Sequence, residues 1–275
     1  MKRCRIAVVL MVLLSAALPA HAVVLRYQPA VGSVQKQKAT MAGRMETSME
    51  GLGQMMRMEL VSEMNYQQTA LSQTDEVTRV ETKLLGGKAS VKFGEQSQSI
   101  DMPDGKIVAD IDRRGRMAKL VEMDMKGQQS QQMMGADALG NWSQFGAFPE
   151  GEVNEGDAWA DKITVPSTAG GPELTLDLNS KLLSMETFQG RQCAKIRTMF
   201  SGPMEYDLSA MGQAGAMNAT LQGDMVWYYD NENSVYVYGE GTVGIDMNMA
   251  SDASGMPAGA MTSKMIMNVK LAMVK

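Results

Sequence analysis

Apolar and polar residues alternate along most of this chain with a period of two. In the closing stretch the odd positions from 265 to 273 are Met, Met, Val, Leu and Met, whereas positions 264, 268 and 270 are Lys, Asn and Lys. Successive side chains of a β-strand point to opposite faces, so this pattern predicts a strand with one face on a core, although Ile266 interrupts it. The pattern recurs in six further segments, residues 39–49, 56–60, 121–125, 174–178, 194–200 and 243–249.

Seven or more half-buried strands predict a mainly β protein. We expect a long, curved, antiparallel sheet in the form of a half-barrel or open barrel. Hairpin turns are predicted where Gly, Asn or Asp punctuate the alternation, at "MPDGK" (102–106), "RRGR" (113–116) and "DNENS" (230–234). Residues 127–140 and 207–218 lack the alternation, and they predict one or two short helices or lid loops that cover an open sheet.

The N-terminal segment has the organisation of a secretory signal. Lys2, Arg3 and Arg5 precede an apolar run from Ile6 to Leu18, and Ala20-His21-Ala22 is a small-x-small cleavage site. We therefore expect a signal peptide over residues 1–22, cleavage after Ala22, and a periplasmic or secreted protein. The apolar run is too short to span a bilayer and no later one is long enough, so a membrane-spanning protein is not expected.

The remaining chain is predicted to be one β-rich domain. Residues 23–147 and 148–275 form its N-terminal and C-terminal parts, each beginning with Pro and Gly before long alternating strands, and we expect the two parts to share one continuous sheet. Its 253 residues (275 minus 22) suffice for a core that needs no disulfide.

Composition excludes several classes of function. Signal cleavage would remove the only histidine, His21, together with Cys4, so Cys193 would be the sole cysteine and a His-dependent triad is excluded. A formal net charge of −5 without a basic cluster disfavours nucleic acid as a partner. The chain has no phosphate loop or dinucleotide motif, and we expect a non-enzyme without a cofactor.

Methionine is abundant, with 28 residues in the chain. Thioethers bind Cu(I), and two Met residues at i and i+2 on a strand face the same way. The pairs are spread over many strands and keep the parity of Val, Leu and Ile, which favours core packing over a metal site. We predict no metal and an apolar ligand face formed by Met56, Met58, Met123, Met125, Met247, Met249, Met265, Met267, Leu271 and Met273.

Two further features are candidates for function. The chain concentrates aromatic residues in one patch, which is interpreted as hairpin packing or as a platform for a sugar or lipid: Trp227, Tyr228, Tyr229, Tyr236 and Tyr238. Cys193 shares its parity with Arg191, Lys195 and Arg197, and these charges would lower its pKa. The simpler interpretation is a small residue on an irregularly covered face.

Several motifs carry a resemblance to known proteins: "LRYQPAVGSV", "FPEGEVNEGDAW", "GRQCAKI", "GDMVWYYD" and the Met-rich final strand. With these motifs the chain resembles a family of exported, Met-rich, β-rich bacterial proteins of unknown function, which implies export and a β fold and no catalytic residue. More distantly it is similar to the periplasmic lipoprotein-carrier fold, in which a curved half-barrel holds acyl chains.

These observations predict a non-enzymatic exported binding or carrier module for a lipid or another hydrophobic small molecule. One alternative is a structural or interaction protein with a partner in the cell envelope. The other is Met-based Cu(I) binding.

Overall fold

The structure is a computed structural model that describes residues 22–49, 55–125, 147–165, 174–207, 216–251 and 259–274. These residues form thirteen β-strands, and no helix occurs among them. The strands are β1 (Val23–Val24), β2 (Val34–Met49), β3 (Met55–Gln73), β4 (Val77–Phe93), β5 (Gln96–Asp112), β6 (Met117–Met125), β7 (Glu152–Val153), β8 (Ala158–Val165), β9 (Leu174–Phe188), β10 (Arg191–Asp207), β11 (Ala216–Asp230), β12 (Val235–Ser251) and β13 (Gly259–Met273).

Eleven of the strands form one antiparallel sheet in the order β6-β5-β4-β3-β2-β13-β12-β11-β10-β9-β8. Consecutive strands are neighbours except at the centre, where β13 pairs with β2 along thirteen residue pairs from Met261–Met49 to Met273–Gln37. The two predicted halves of the chain therefore meet in one sheet through their first and last long strands. The mid-chain strands β6 and β8 form its edges.

The sheet is curved and is not closed, as predicted. Strands lie about 4.8 Å apart, so the edges of a flat sheet of eleven strands would be separated by about 48 Å. Instead Arg114, in the turn between β5 and β6, forms an ion pair with Asp161 on β8, with Nη2 and Oδ2 2.6 Å apart. The sheet is rolled until its edges meet at this end, although β6 and β8 are not hydrogen-bonded to each other.

Most strand predictions are confirmed, but one predicted turn is wrong. "MPDGK" lies inside β5, where Asp104 and Gly105 pair with Leu85 and Leu84 of β4, and Gly105 also pairs with Met125 of β6. Pairing on both sides holds this segment extended and overrides the local turn preference of Asp-Gly. The predicted turns at 113–116 and 231–234 are present.

The predicted lid falls largely outside the described residues. Residues 127–140 and 208–215 are not described. At the margins of the second segment, Asp207 closes β10 and residues 216–218 open β11. These margins are strand because they pair with each other, Asp207 with Ala216.

The face of the sheet that carries the main core is called the inner face. Its buried side chains come from every long strand, including Met41, Met64, Leu178, Trp227 and Met267. Charged residues take the opposite, outer face in cross-strand pairs, such as Arg79 Nε with Asp110 Oδ1 at 2.8 Å and Arg197 with Asp224. The alternation in the sequence thus becomes a division between core and solvent.

Glycine lets large inner-face side chains lie flat on neighbouring strands. A Cβ at Gly223 would lie 2.1 Å from Cζ of Phe200, and one at Gly239 would lie 2.3 Å from Cε3 of Trp227. Both positions therefore need glycine, because the ring of the adjacent strand occupies the space of the missing side chain.

Candidate apolar binding face

The two ends of the inner face differ. The packed end, near the turns at 113–115 and 231–234, is covered by residues 22–33 and 147–157, in which Leu25 and Phe148 are fully buried. Backbone hydrogen bonds anchor this cover to the sheet, from Tyr27 N and from Phe148 N to the turn carbonyls of Arg113 and Arg114, each at 2.8 Å. At the other end, where β2 ends and β3 begins, the described residues form no such cover, and we call it the open end.

Exposure along β3 follows this division. Met64, towards the packed end, is 6% exposed, whereas Met56 on the same inner face is 49% exposed. Met58 and Leu60 between them are half-buried. The inner face therefore changes from core to accessible apolar surface between Met64 and Met56, eight residues apart.

The register orders the methionines in rows across the open half. Met45 pairs with Met265 on one side and with Met58 on the other, which places three thioether side chains on three neighbouring strands. We call Met265, Met45 and Met58 the methionine row. Met247 and Met56 lie one inner-face position closer to the open end and flank the buried hydroxyls of Ser263 and Thr47, which hydrogen-bond each other at 2.7 Å.

The predicted ligand-face residues do not all lie together. Met56, Met58, Met247 and Met265 belong to the open half, with Met265 itself 9% exposed. Met267 and Leu271 are 2% and 3% exposed and are part of the packed core. Other residues are placed elsewhere: Met123 lies on edge strand β6 opposite Ile107, Met273 packs against the small cluster of Cys193, Val235 and Val237, and the side chains of Met125 and Met249 are outside the described part of the chain.

The aromatic patch is divided between the two faces. Trp227, Tyr229 and Tyr236 are buried on the inner face, where the Tyr229 and Tyr236 ring centroids are 4.9 Å apart. A β-bulge shifts the register between Tyr228 and Tyr229, so that Tyr228 faces Tyr238. These two form the outer part of the patch.

On the outer side, Tyr228 stacks on Phe188 with ring centroids 4.0 Å apart. Lys195 Nζ lies 5.2 Å from the Tyr228 centroid and Lys270 Nζ lies 5.3 Å from that of Tyr238. The ring faces of this outer group are thus occupied by other side chains, which favours packing over a ligand platform.

Phe148 completes the inner aromatic group, and neither it nor the edge contact was predicted. Its ring centroid lies 4.5 Å from that of Tyr229. The Arg114 guanidinium donates from Nε to the Phe148 carbonyl at 2.7 Å while it pairs with Asp161. The four-residue pattern "RRGR" predicts the turn but not this partner.

Burial raises the pKa of several tyrosines. The pKa values of Tyr27, Tyr66, Tyr229 and Tyr236 all lie above the ordinary value of 10, with desolvation as the largest cause. For Tyr238, burial comes first and the hydrogen bond with Glu240 second, and together they raise its pKa to about 12. These phenols stay neutral at physiological pH, and two of them donate hydrogen bonds, Tyr229 to the Arg26 carbonyl and Tyr238 to the Glu240 carboxylate.

Cys193 does not carry the lowered pKa that its basic neighbours suggest. Its side chain is fully buried, and burial followed by the nearby Asp230 carboxylate raises the thiol pKa to about 11. Arg191 opposes this shift, but its guanidinium is paired with Asp230 at 2.7 Å. Lys195 and Arg197 are likewise engaged, with Glu186 and Asp224. Cys193 is therefore an inert thiol.

A shallow depression of ≈ 480 Å³ lies across strands β3, β2, β13 and β12. Most of its lining side chains, including Val61, Thr242 and Lys270, belong to the outer face. Its lining is mixed in polarity, so it differs in chemistry from the methionine-lined open half.

In the described ranges no group of three or more His, Cys, Asp and Glu side chains is placed to hold a metal ion. The part of the chain that the structure describes contains no helix with the length and apolarity needed to cross a membrane.

No protein-family model matches the chain, and no curated protein matches it.

Proposed function

We propose that this protein is an exported, non-enzymatic binding or carrier module whose ligand is an acyl chain or another hydrophobic group. The observation that carries the proposal is the unequal burial of one apolar face, from Met64 at 6% to Met56 at 49% exposure along β3. An accessible apolar surface continuous with a packed core is the usual form of a lipid-contacting site.

The chemistry of the open half supports an apolar ligand. The described side chains around the methionine positions of the open half, such as Leu60, Ile245 and Met247, are mostly aliphatic or thioether, and the hydroxyls of Thr47 and Ser263 among them hydrogen-bond each other. Methionine has three rotatable bonds and a polarizable sulfur, so a surface of this kind adapts to ligands of different shape. The signal-like N-terminus supports export of the protein, and the lack of any histidine after the expected cleavage site supports a role without catalysis.

The proposal is tested with cis-parinaric acid, a fluorescent fatty acid, and delipidated protein. Wild type should bind it saturably. Met56→Asp places a short carboxylate on the inner face and is expected to weaken binding at least about tenfold, which corresponds to about 1.4 kcal/mol. Val61→Asp is the matched control, because Val61 lies on the same strand, is 56% exposed, and faces outward.

Three results would overturn the proposal. The first is wild-type protein that shows no saturable binding, which would leave the structural or interaction role in the envelope. The second is equal binding by wild type and Met56→Asp. The third is loss of binding in Val61→Asp alone, which would place the ligand in the outer depression. Circular dichroism melting of both variants shows whether each remains folded.

A further inference from the structure

We propose that the methionine row, with Met56 and Met247 beside it, binds a soft monovalent cation such as Cu(I) or Ag(I). The inference is independent of the proposed function, because it depends on thioether sulfur and not on apolarity. The sequence argument against a metal was that the Met pairs are spread over many strands. In the folded sheet, however, the strand register places methionines from different strands next to one another.

The first step is proximity. Met265, Met45 and Met58 are direct partners across three strands, and side chains opposite each other have Cβ atoms about 5 Å apart. Met56 lies two residues from Met58, and Met247 is two residues from Ile245, the partner of Met265. Two residues along a strand span about 7 Å, so five thioethers from four neighbouring strands share one patch.

The second step is the direction of approach. The patch lies on the inner face of a rolled sheet, so side chains from neighbouring strands incline towards one another. The methionine side chain is long and flexible enough for three sulfurs to reach a common ion. No backbone movement is needed to bring these residues together, because the register already does so.

The third step is chemical selection. Thioethers are soft ligands that select Cu(I), whereas Ca²⁺ and Mg²⁺ require several oxygen ligands. The Glu46 carboxylate pairs with Arg57 at 3.4 Å and Asp246 with Lys264 at 3.6 Å, and all four belong to the outer face. The Thr47 and Ser263 hydroxyls on the inner face already hydrogen-bond each other, so the patch offers sulfur more readily than oxygen ligands.

The fourth step is access. Met45, Met58 and Met247 are half-buried and Met56 is 49% exposed, so an ion can reach the patch from the open end. Met64 differs, since it lies on the same face and strand as Met58 but is 6% exposed within the core. Met64 is therefore a packing residue and supplies a control.

The test is anaerobic titration of the full chain with Cu(I), in competition with the chromophoric chelator bicinchoninate. Ag(I), which needs no reductant, provides a second titration by calorimetry. Wild type should withdraw one equivalent of Cu(I) from the chelator. The triple variant Met45→Leu, Met58→Leu and Met265→Leu should bind at least 100-fold more weakly, whereas Met64→Leu should match wild type.

Leucine keeps the apolar volume of methionine, so the triple variant should remain folded. The two proposals are separated on the wild-type protein, by measuring Cu(I) binding and cis-parinaric acid binding independently, since either one can fail without the other. A wild-type protein that takes no Cu(I) from the chelator overturns the metal site and leaves fatty-acid binding untouched. Undiminished Cu(I) binding by the triple variant overturns it as well, because the sulfurs of the row would then not be the ligands.

Discussion

Replacement of Gly223 by alanine should destabilise the protein by about 2 kcal/mol, because Phe200 already occupies the space that a side chain at 223 would need. The added Cβ would lie 2.1 Å from Cζ, 2.5 Å from Cε1 and 2.7 Å from Cε2 of the Phe200 ring. Ordinary carbon–carbon contacts are about 3.5 Å or longer, so the ring must shift by about 1.4 Å. Phe200 is 3% exposed, and a shift of this size presses it into its core neighbours.

The assay is thermal and urea unfolding of the purified protein. A loss of about 2 kcal/mol in a chain of this size lowers the melting temperature by about 4–8 °C. Gly151→Ala is the control, since a Cβ there meets nothing within 4 Å, and its stability should stay within about 0.5 kcal/mol of wild type.

Phe200→Leu supplies the rescue experiment. If the ring is the obstacle, the double variant Gly223→Ala, Phe200→Leu should lose less stability than the sum of the single variants. Additive losses, or a Gly223→Ala protein as stable as wild type, would refute the reasoning about this contact.

Three further predictions follow from the packed end and the outer cluster. Asp161→Asn should lower the free energy of unfolding by about 1–2 kcal/mol in urea, because Arg114 loses its ion pair with β8 and keeps only the exposed Glu150 as a carboxylate partner; an unchanged midpoint would contradict this. Cys193 should react with iodoacetamide at pH 8 only after unfolding, and rapid labelling of native protein would show that the thiol is accessible. Absorbance at 295 nm should show buried tyrosines such as Tyr27 and Tyr66 ionising above pH 10 in the native state. Since folding raises their pKa values, they stabilise the protein below pH 10, and stability should fall as the pH rises above it; alkaline melting curves that stay level would disprove this.

The alternation of residues predicts which face a side chain takes, but it does not predict which strands are neighbours. Met265 and Met267 were placed on the core side by parity, and the structure puts both there. The pairing of Met45 with Met265 could not be predicted, because a period of two is the same for every partner strand. The sequence pattern therefore suggested methionines scattered over many strands, whereas the sheet places Met45, Met58 and Met265 side by side.

Local irregularities explain the other differences. Simple alternation places Tyr236 and Tyr238 on one face, but the bulge at Val237 between them turns Tyr236 inward and Tyr238 outward. A bulge inserts one residue and leaves no hydrophobic signature, so the single aromatic patch was a natural interpretation. For Cys193, Arg191 is the one predicted basic neighbour that lowers the thiol pKa, and burial and the Asp230 carboxylate outweigh it.

Because β13 is the last of the thirteen strands to be synthesised, the nascent chain completes β2–β6 while one side of β2 still lacks its partner. Contacts between residues so distant in sequence form slowly, and unpaired strand edges promote aggregation of partly folded chains. A chain that stops before residue 259 therefore exposes the whole Val34–Met49 edge to other strands. Among the described strands, the addition of the fifteen residues of β13 leaves β6 and β8, of nine and eight residues, as the edges of the sheet.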